Sequence, residues 1–264
     1  NSAIAKIKIA FSKAINKYPF DGSLFQIEEF EDKLTGYESY VMDSIPKHTG
    51  YLTPTGSSYI EVKNIAGNSF PEYSSKKTGD KILDPRMGSI SFEAFLAIPD
   101  NENINDISLF HVSGSDLKIE AKISGSLAGE THCTASFRIV SGSEDRVLHV
   151  DSVEKGKFNH ISFVLNKENN QNLMETFVNG RKSSAFVNTG VGDIQFTNSL
   201  FIGLSGSFED GDGGLQNYEN FSGSIKDFRV YHQARNEKTI QGDYRDTVYK
   251  NDYLVANFRF NEPT

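Results

Sequence analysis

The sequence has one cysteine and no tryptophan among its 264 residues. The single cysteine, Cys133, excludes an internal disulfide framework and any cysteine-rich metal cluster. It lies in a stretch of alternating polarity, which predicts a small buried side chain rather than a reactive thiol. No apolar run approaches the roughly 20 residues that a membrane-spanning helix requires, so we expect no membrane span.

Positive charge is also scarce, with 27 basic residues against 35 acidic ones and a formal net charge of −8. Proteins that bind the phosphate backbone of nucleic acids concentrate lysine and arginine on one surface. The sequence contains no such cluster, so nucleic acid is not an expected partner. The chain starts at Asn1 without a signal-like apolar segment, and we expect a processed chain or a piece of a longer polypeptide.

Residues 1–50 form the first of two predicted regions. Ile4, Ile7 and Phe11 recur at spacings of three and four residues, which places them on one face of a helix. Further helical patterns follow, and Pro46 ends the last of them. Short amphipathic helices are marginal without a packing partner, so we predict a helical docking or linker segment here.

Residues 51–264 form the second predicted region, in which the hydrophobic period changes to two. Short alternating runs are separated by Gly, Asn, Asp and Ser at intervals of roughly 8–15 residues, which is typical of an antiparallel β-sandwich or barrel. The apolar run Ile90–Leu96 predicts a strand buried on both faces, and Asn179-Gly180 predicts a tight hairpin. One short helix is expected over residues 236–245.

Three segments in the second half of the chain carry a family resemblance. Gly156–Val164 is similar to a family strand with a W-x-H-V/I-A core, with phenylalanine in the tryptophan position. Phe177–Arg181 is similar to a Y-V-N-G-K hairpin, and Leu200–Gly203 with Phe221–Tyr231 is similar to the closing strands. The chain therefore resembles concanavalin A-like domains of the laminin-G-like kind. This resemblance implies a mainly β fold, a jelly-roll β-sandwich with a short N-terminal helical segment, and ligands at a rim loop or on a concave face.

Shorter motifs near both ends resemble tailed-bacteriophage virion proteins. Tyr18–Gly22, Leu34–Tyr40 and Ser44–Tyr51 are similar to the segment that precedes laminin-G-like domains there, and Leu254–Pro263 is similar to a strand that often opens another such domain. The resemblance implies a non-catalytic structural or adhesive module of a virion, as a capsid decoration or tail component. Its expected partners are other virion proteins in an oligomeric particle, together with a host-surface glycan.

The candidate ligand site is the glycine-rich stretch Glu209–Gly214 and the residues directly after it. Ca²⁺ takes six to eight oxygen ligands, and Asp210 and Asp212 would supply carboxylates to it. The alternative is a plain Gly/Asp turn, since the glutamate at position 12 of an EF-hand loop is missing. Asn217 and Tyr218 follow as candidate ligand-binding residues, because a tyrosine ring can stack on a sugar.

Two other classes of protein stay open at this point. One is a secreted, extracellular, calcium-dependent lectin that binds carbohydrate. The other is a glycan hydrolase, which needs two carboxylates about 5–5.5 Å or about 6.5–9.5 Å apart. The E-x-D-x-x-E arrangement of the hydrolases on this fold is absent, Glu28–Asp32 is predicted to be a solvated helix face, and Glu144-Asp145 is predicted to lie in a turn. We therefore expect no enzyme.

Overall fold

The computed structural model describes most of the chain after residue 58. The described ranges are 59–66, 81–85, 88–100, 103–167, 172–187, 190–192, 194–204, 206–209, 215–219, 221–244 and 253–259. The helical segment predicted for residues 1–50 lies outside them, as do the phage-like motifs before residue 52.

The described residues form fourteen strands and one helix, α1, at Glu237–Asp243. The strands are β1 Ile60–Val62, β2 Ile90–Ala97, β3 Ile107–Ser113, β4 Leu117–Ile123, β5 His132–Ser141, β6 Glu144–Glu154, β7 Phe158–Asn166, β8 Leu173–Val178, β9 Arg181–Val187, β10 Leu200–Ile202, β11 Gly206–Glu209, β12 Leu215–Tyr218, β13 Ser224–Tyr231 and β14 Leu254–Phe258.

The strands build two six-stranded sheets and one separate hairpin. Sheet I has the order β14-β13-β2-β7-β8-β9, and sheet II has the order β1-β10-β3-β4-β5-β6. Neighbouring strands in both sheets pair antiparallel. The hairpin β11-β12 joins the start of β3 through a parallel bridge between Ile107 and Glu219. This architecture confirms the predicted mainly β sandwich.

A core of aliphatic and phenylalanine side chains fills the space between the two sheets. The rings of Phe92 and Phe110 stack with centroids 4.5 Å apart, and those of Phe137 and Phe163 lie 5.0 Å apart. Stacked and tilted aromatic pairs stabilise a core beyond the area that they bury. Cys133 belongs to the same core and is buried, as the sequence predicts.

Strand β2 is buried on both of its faces, as its apolar run predicts. One face points into the core, and the other contacts the segment before α1, where Ser91 Oγ donates to the Gln233 carbonyl and Arg235 Nε donates to Glu93. The helix itself packs through Ile240 against Val164 of β7 and Phe177 of β8. The predicted short helix is thus confirmed. Among the described residues, no helix is long and apolar enough to cross a membrane.

The sequence predicted two turns, of which one is confirmed and the other is wrong. Asn179 and Gly180 have φ angles of 49° and 79°, and they join β8 to β9 as predicted. The prediction that Glu144-Asp145 lies in a turn is wrong, because both residues begin strand β6. Gly142 has a φ of 58°, and the chain has therefore already reversed its direction before Glu144.

Candidate functional site

The outer face of sheet II carries an ordered set of polar side chains on β4 and β5. Alternation along β5 turns Phe137 and Ile139 into the core, so Ser136 and Arg138 point to the opposite face. On β4, Glu120 points to the same outer face, because it lies between the core residues Ile119 and Ala121. The strand period therefore gives this sheet one apolar and one polar face.

Strand register places six of these outward positions side by side across the sheet. We call them the sheet II row, and in spatial order they are Glu61, Phe201, His111, Glu120, Arg138 and Val147. Directly paired residues in antiparallel strands have Cβ atoms about 4.5–5.5 Å apart, so neighbouring members are within contact distance. The row therefore brings together residues from strands that are far apart in the sequence.

Aromatic rings occupy one end of the sheet II row. The rings of Phe201 and His111 stack with centroids 5.2 Å apart and planes at 29°, and Tyr59 lies 6.0 Å from Phe201. Tyr59 is 48% exposed, so this end is accessible to solvent. Burial, helped by the nearby charge of Lys118, lowers the pKa of His111 below its usual value. The three rings form a partly exposed aromatic ledge.

Charged side chains occupy the middle of the row and form ion pairs with two residues outside it, Asp145 and Lys118. Arg138 donates from Nε and Nη2 to the two carboxylate oxygens of Asp145, at 2.8 and 2.6 Å, and from Nη1 to Glu120 Oε1 at 3.3 Å. Lys118 Nζ lies 2.8 Å from Glu120 Oε2. The result is a chain of alternating charges in which each carboxylate faces a cation.

The two carboxylates of this chain differ in their acidity. Burial raises the pKa of Glu120 despite the neighbouring Lys118 and Arg138. The hydrogen bonds from Arg138 lower the pKa of Asp145, which is less buried. Both carboxylates hold cations in place, and their arrangement suits a surface that accepts and donates hydrogen bonds in fixed directions.

None of the residues that the sequence predicted as a ligand site is a member of the sheet II row. Asp210 and Asp212 are outside the described residues. Asn217 and Tyr218 belong to β12, where they pair with Ser207 and Gly206 of β11. This hairpin lies at the rim of the sandwich beside the start of β3, so it is not part of the sheet II row. Phe221 and Tyr231, also near the loop in sequence, are buried.

The described residues do not build a calcium site. Within the described ranges, no group of three or more His, Cys, Asp or Glu residues could hold a metal ion. Beside the hairpin, Asp106 Oδ1 accepts from the Gly125 amide at 2.6 Å, and Glu219 Oε1 accepts from Asn105 Nδ2 at 2.7 Å. These oxygens stabilise the rim.

A second charged cluster lies on the outer face of sheet I, where Arg235, just before α1, contacts β2. Glu93 Oε1 accepts from Arg235 Nε at 3.0 Å, while Glu93 Oε2 lies 3.4 Å from His160 Nε2 and 3.8 Å from Arg229 Nη1. Burial alone would raise the pKa of Glu93, but His160, Arg235 and Arg229 outweigh it and lower this pKa to about 2. Glu93 and Arg229 are fully buried, so we assign this cluster to stability rather than to ligand binding.

Sequence reasoning missed the sheet II row for an identifiable reason. The alternation Lys118, Glu120, Lys122 inside an apolar strand is a usable signal for a polar outer face. Nothing local indicates that β10, about 90 residues later in the chain, lies beside β3 and brings Phe201 to His111. The row exists only once the strand order is known.

The paired antiparallel sheets, the covering helix and the polar face of sheet II define a lectin-like β-sandwich. The chain belongs to the Concanavalin A-like lectin/glucanases superfamily, whose family model matches residues 70–241, well over half of its length. This finding confirms the concanavalin A-like and laminin-G-like resemblance of the sequence. No curated protein matches the chain.

Solved structures with a similar fold come from several sources. A heptameric SAP-like pentraxin from Limulus polyphemus is 17% identical, with a TM-score of 0.44 and coverage of 60% of this chain and 70% of the pentraxin chain. The binding domain of botulinum neurotoxin serotype D is 11% identical, with a TM-score of 0.49 over 77% of this chain and 44% of that one. The binding domain of botulinum neurotoxin DC, in complex with SialylT, is 11% identical, with a TM-score of 0.44 over 76% and 52%. The chain spans about half the length of these two toxin domains.

Proposed function

We propose that this chain is a non-catalytic adhesive module that binds a cell-surface glycan on the outer face of sheet II. One observation carries the proposal: the stacked rings of Phe201 and His111 continue in register into Glu120 and Arg138. Sugar rings present apolar C–H faces that stack on aromatic rings and hydroxyl edges that need fixed hydrogen-bond partners. The sheet II row supplies both kinds of contact in one line.

The charge arrangement supports binding rather than hydrolysis. Both oxygens of Asp145 accept from Arg138, and the two oxygens of Glu120 face Arg138 and Lys118. A nucleophile or general base on this fold needs a carboxylate oxygen that can approach the sugar or a water molecule. Carboxylates held by cations are poor candidates for that role but good fixed acceptors for sugar hydroxyls.

The biological setting of the module is a separate part of the proposal. The motifs in residues 18–51 and 254–263 favour a bacteriophage virion, with the chain as a capsid decoration or tail component among oligomeric neighbours. A secreted extracellular lectin is the alternative. A virion component co-sediments with purified particles at a fixed ratio to the other particle proteins, whereas a secreted lectin is recovered from particle-free medium.

The glycan site is tested by a glycan-array screen of the purified chain and of two phenylalanine variants. Phe201→Ala removes the centre of the aromatic ledge and should weaken binding to the recognised glycan about three- to tenfold, because an aromatic contact contributes about 0.5–1.5 kcal/mol. Phe186→Ala is the matched control, since Phe186 is a partly exposed phenylalanine on β9 of sheet I. Its binding should equal that of the unchanged protein.

Three results would overturn this proposal. A chain that binds no glycan on the array is not an adhesive lectin. Binding that survives Phe201→Ala places the ligand elsewhere than on the sheet II row. Release of reducing sugar from a bound glycan, abolished by Glu120→Gln, would make the protein a hydrolase with Glu120 as its acid.

The glycine-rich loop is proposed as a calcium site, on the basis of its sequence alone. Ca²⁺ at the millimolar level that suits weak extracellular sites should raise the melting temperature of the chain. The double substitution Asp210→Ala/Asp212→Ala should abolish this rise, while Asp116→Ala, an exposed aspartate elsewhere, should leave it unchanged. Equal melting temperatures with calcium and with chelator would rule the site out.

A further inference from the structure

A polar pocket opens at one end of the outer face of sheet II. It is an open depression of about 500 Å³, formed by the connection between β4 and β5 and by the first residues of β5. Its polar lining side chains are Ser124, Ser126, Glu130, Thr131, His132 and Thr134. This volume is in the range of pockets that hold small ligands. None of these residues belongs to the sheet II row.

The pocket continues the polar face instead of forming a separate surface. Ser124 and Thr134 pair directly, with the Ser124 amide donating to the Thr134 carbonyl at 2.8 Å, and this continues the pairing of β4 with β5 one residue beyond Ile123 and Ala135. The outward side of β5 carries Arg138, Thr134 and His132, which lie an even number of residues apart. At about 3.3 Å per residue, His132 lies roughly 20 Å along the strand from Arg138, a span that several linked sugar rings occupy.

The chemistry of the lining favours a neutral polyhydroxyl compound. The lining offers hydroxyl groups, one carboxylate and one imidazole, and it contains no Phe or Tyr side chain. Ser126 is 7% exposed, and its hydroxyl has no hydrogen-bond partner among the described residues. An unsatisfied buried hydroxyl costs free energy, and rotation of the Ser126 side chain toward the pocket would let a ligand hydroxyl satisfy it.

The walls of the pocket are held in place by contacts from outside it. Asn103 Oδ1 accepts from the Ala128 amide at 2.7 Å, and Asp106 Oδ1 accepts from the Gly125 amide at 2.6 Å. Lys155 Nζ donates to the Leu127 carbonyl at 2.9 Å, and the Lys155 amide donates to the Thr131 carbonyl. Because these walls are already ordered, ligand binding loses little conformational entropy in the loop.

We infer that this pocket is an end-recognition subsite, which holds the terminal, uncharged sugar of the glycan whose inner residues lie on the sheet II row. The inference rests on the proposed function and adds a specificity to it: a glycan is recognised by its end, not only by its interior. Glu130 brings a negative charge to the pocket rim, so an acidic terminal sugar is disfavoured.

The experiment is an NMR titration of the isotope-labelled full chain with single sugars. The probes are the methyl glycosides of glucose, galactose, mannose and N-acetylglucosamine, with the methyl glycoside of N-acetylneuraminic acid as the acidic counterpart. At least one neutral probe should shift the amide signals of residues 124–134, and the acidic probe should bind more weakly. Silence of these amides with every neutral probe would overturn the inference.

Variants separate this inference from the proposed function. Ser126→Ala and His132→Ala should each weaken the neutral probe about three- to tenfold, as expected for one lost hydrogen bond. Ser143→Ala is the matched control, because Ser143 is an exposed serine in the turn at the other end of β5. If an oligosaccharide shifts the amides of Phe201 and His111 but leaves residues 124–134 unchanged, the subsite is wrong and the glycan face stands. If neither region responds, both proposals are wrong.

Discussion

At the scale of single residues, Glu93 shows how a buried charge can stabilise a sandwich. Its carboxylate lies on the outer face of sheet I and faces Arg235, Arg229 and His160, with Asp227 3.9 Å from Arg229. Two carboxylates thus offset two guanidinium groups in one buried cluster. A buried pair of this kind stabilises the fold only while both signs of charge are present.

The Glu93→Gln variant should lose about 3–5 kcal/mol of unfolding free energy near neutral pH, because it leaves buried guanidinium groups without their carboxylate. The folded-state pKa of Glu93, about 2, lies below its ordinary value of 4.5. Its contribution is therefore complete above pH 4.5 and is lost as pH falls from 4.5 toward 2. Urea denaturation at several pH values should show the two proteins converging across this window.

The matched control for this prediction is Glu61→Gln, because Glu61 is an exposed carboxylate on β1. This control should change the unfolding free energy by less than about 0.5 kcal/mol at neutral pH. A constant difference between the Glu93→Gln variant and the unchanged protein at all pH values would mean that the carboxylate carries no proton-linked stability.

At the scale of elements, α1 depends on the residue that caps its start and on the sheet against which it packs. Asn236 Oδ1 accepts from the Thr239 amide at 3.0 Å and from the Thr239 hydroxyl at 2.9 Å. Ile240 then anchors the helix on Val164 and Phe177. Seven residues are too few for a helix that is stable alone, so the cap and the anchor decide whether it forms.

Asn236→Ala should lower the unfolding free energy by about 1 kcal/mol, because one amide at the helix start loses its acceptor. Chemical denaturation followed by circular dichroism measures this loss. Lys238→Ala is the matched control, since Lys238 is exposed within the same helix and alanine favours a helix. Equal effects of the two substitutions would show that the cap contributes nothing.

The elements also show how far local patterns reach. The short helix, the strand β2 buried on both faces and the turn at Asn179-Gly180 are all predictable, because each depends on neighbours within a few residues. The start of β6 at Glu144 is not predictable in this way. The tight turn at Gly142 reverses the chain so early that Glu144 already pairs with Ser141 as part of the strand.

At the scale of the whole molecule, the two sheets differ in what their outer faces carry. The outer face of sheet I is covered by α1 and holds the buried charges around Glu93. The outer face of sheet II holds the aromatic ledge, the alternating charges and the pocket at its end. The proposed glycan face is therefore separate from the charged cluster on the opposite face.

The amino-acid sequence by itself determined the fold class of this protein. The alternation of β-strands, their turn residues and the three family-like segments are local features, and the family match over residues 70–241 confirms what they indicate. These features suffice because strand faces and turns are set by interactions between residues close in the chain.

The candidate site, in contrast, was decided only by the tertiary structure. Phe201 meets His111 because β10 inserts between β1 and β3, and Arg138 meets Asp145 because β5 and β6 fold back on each other in a particular register. Strand order depends on how all the apolar faces are buried together, which no local pattern encodes. For this reason the sequence pointed to the loop at Asp210 and Asp212, while the packed sheets assembled the sheet II row.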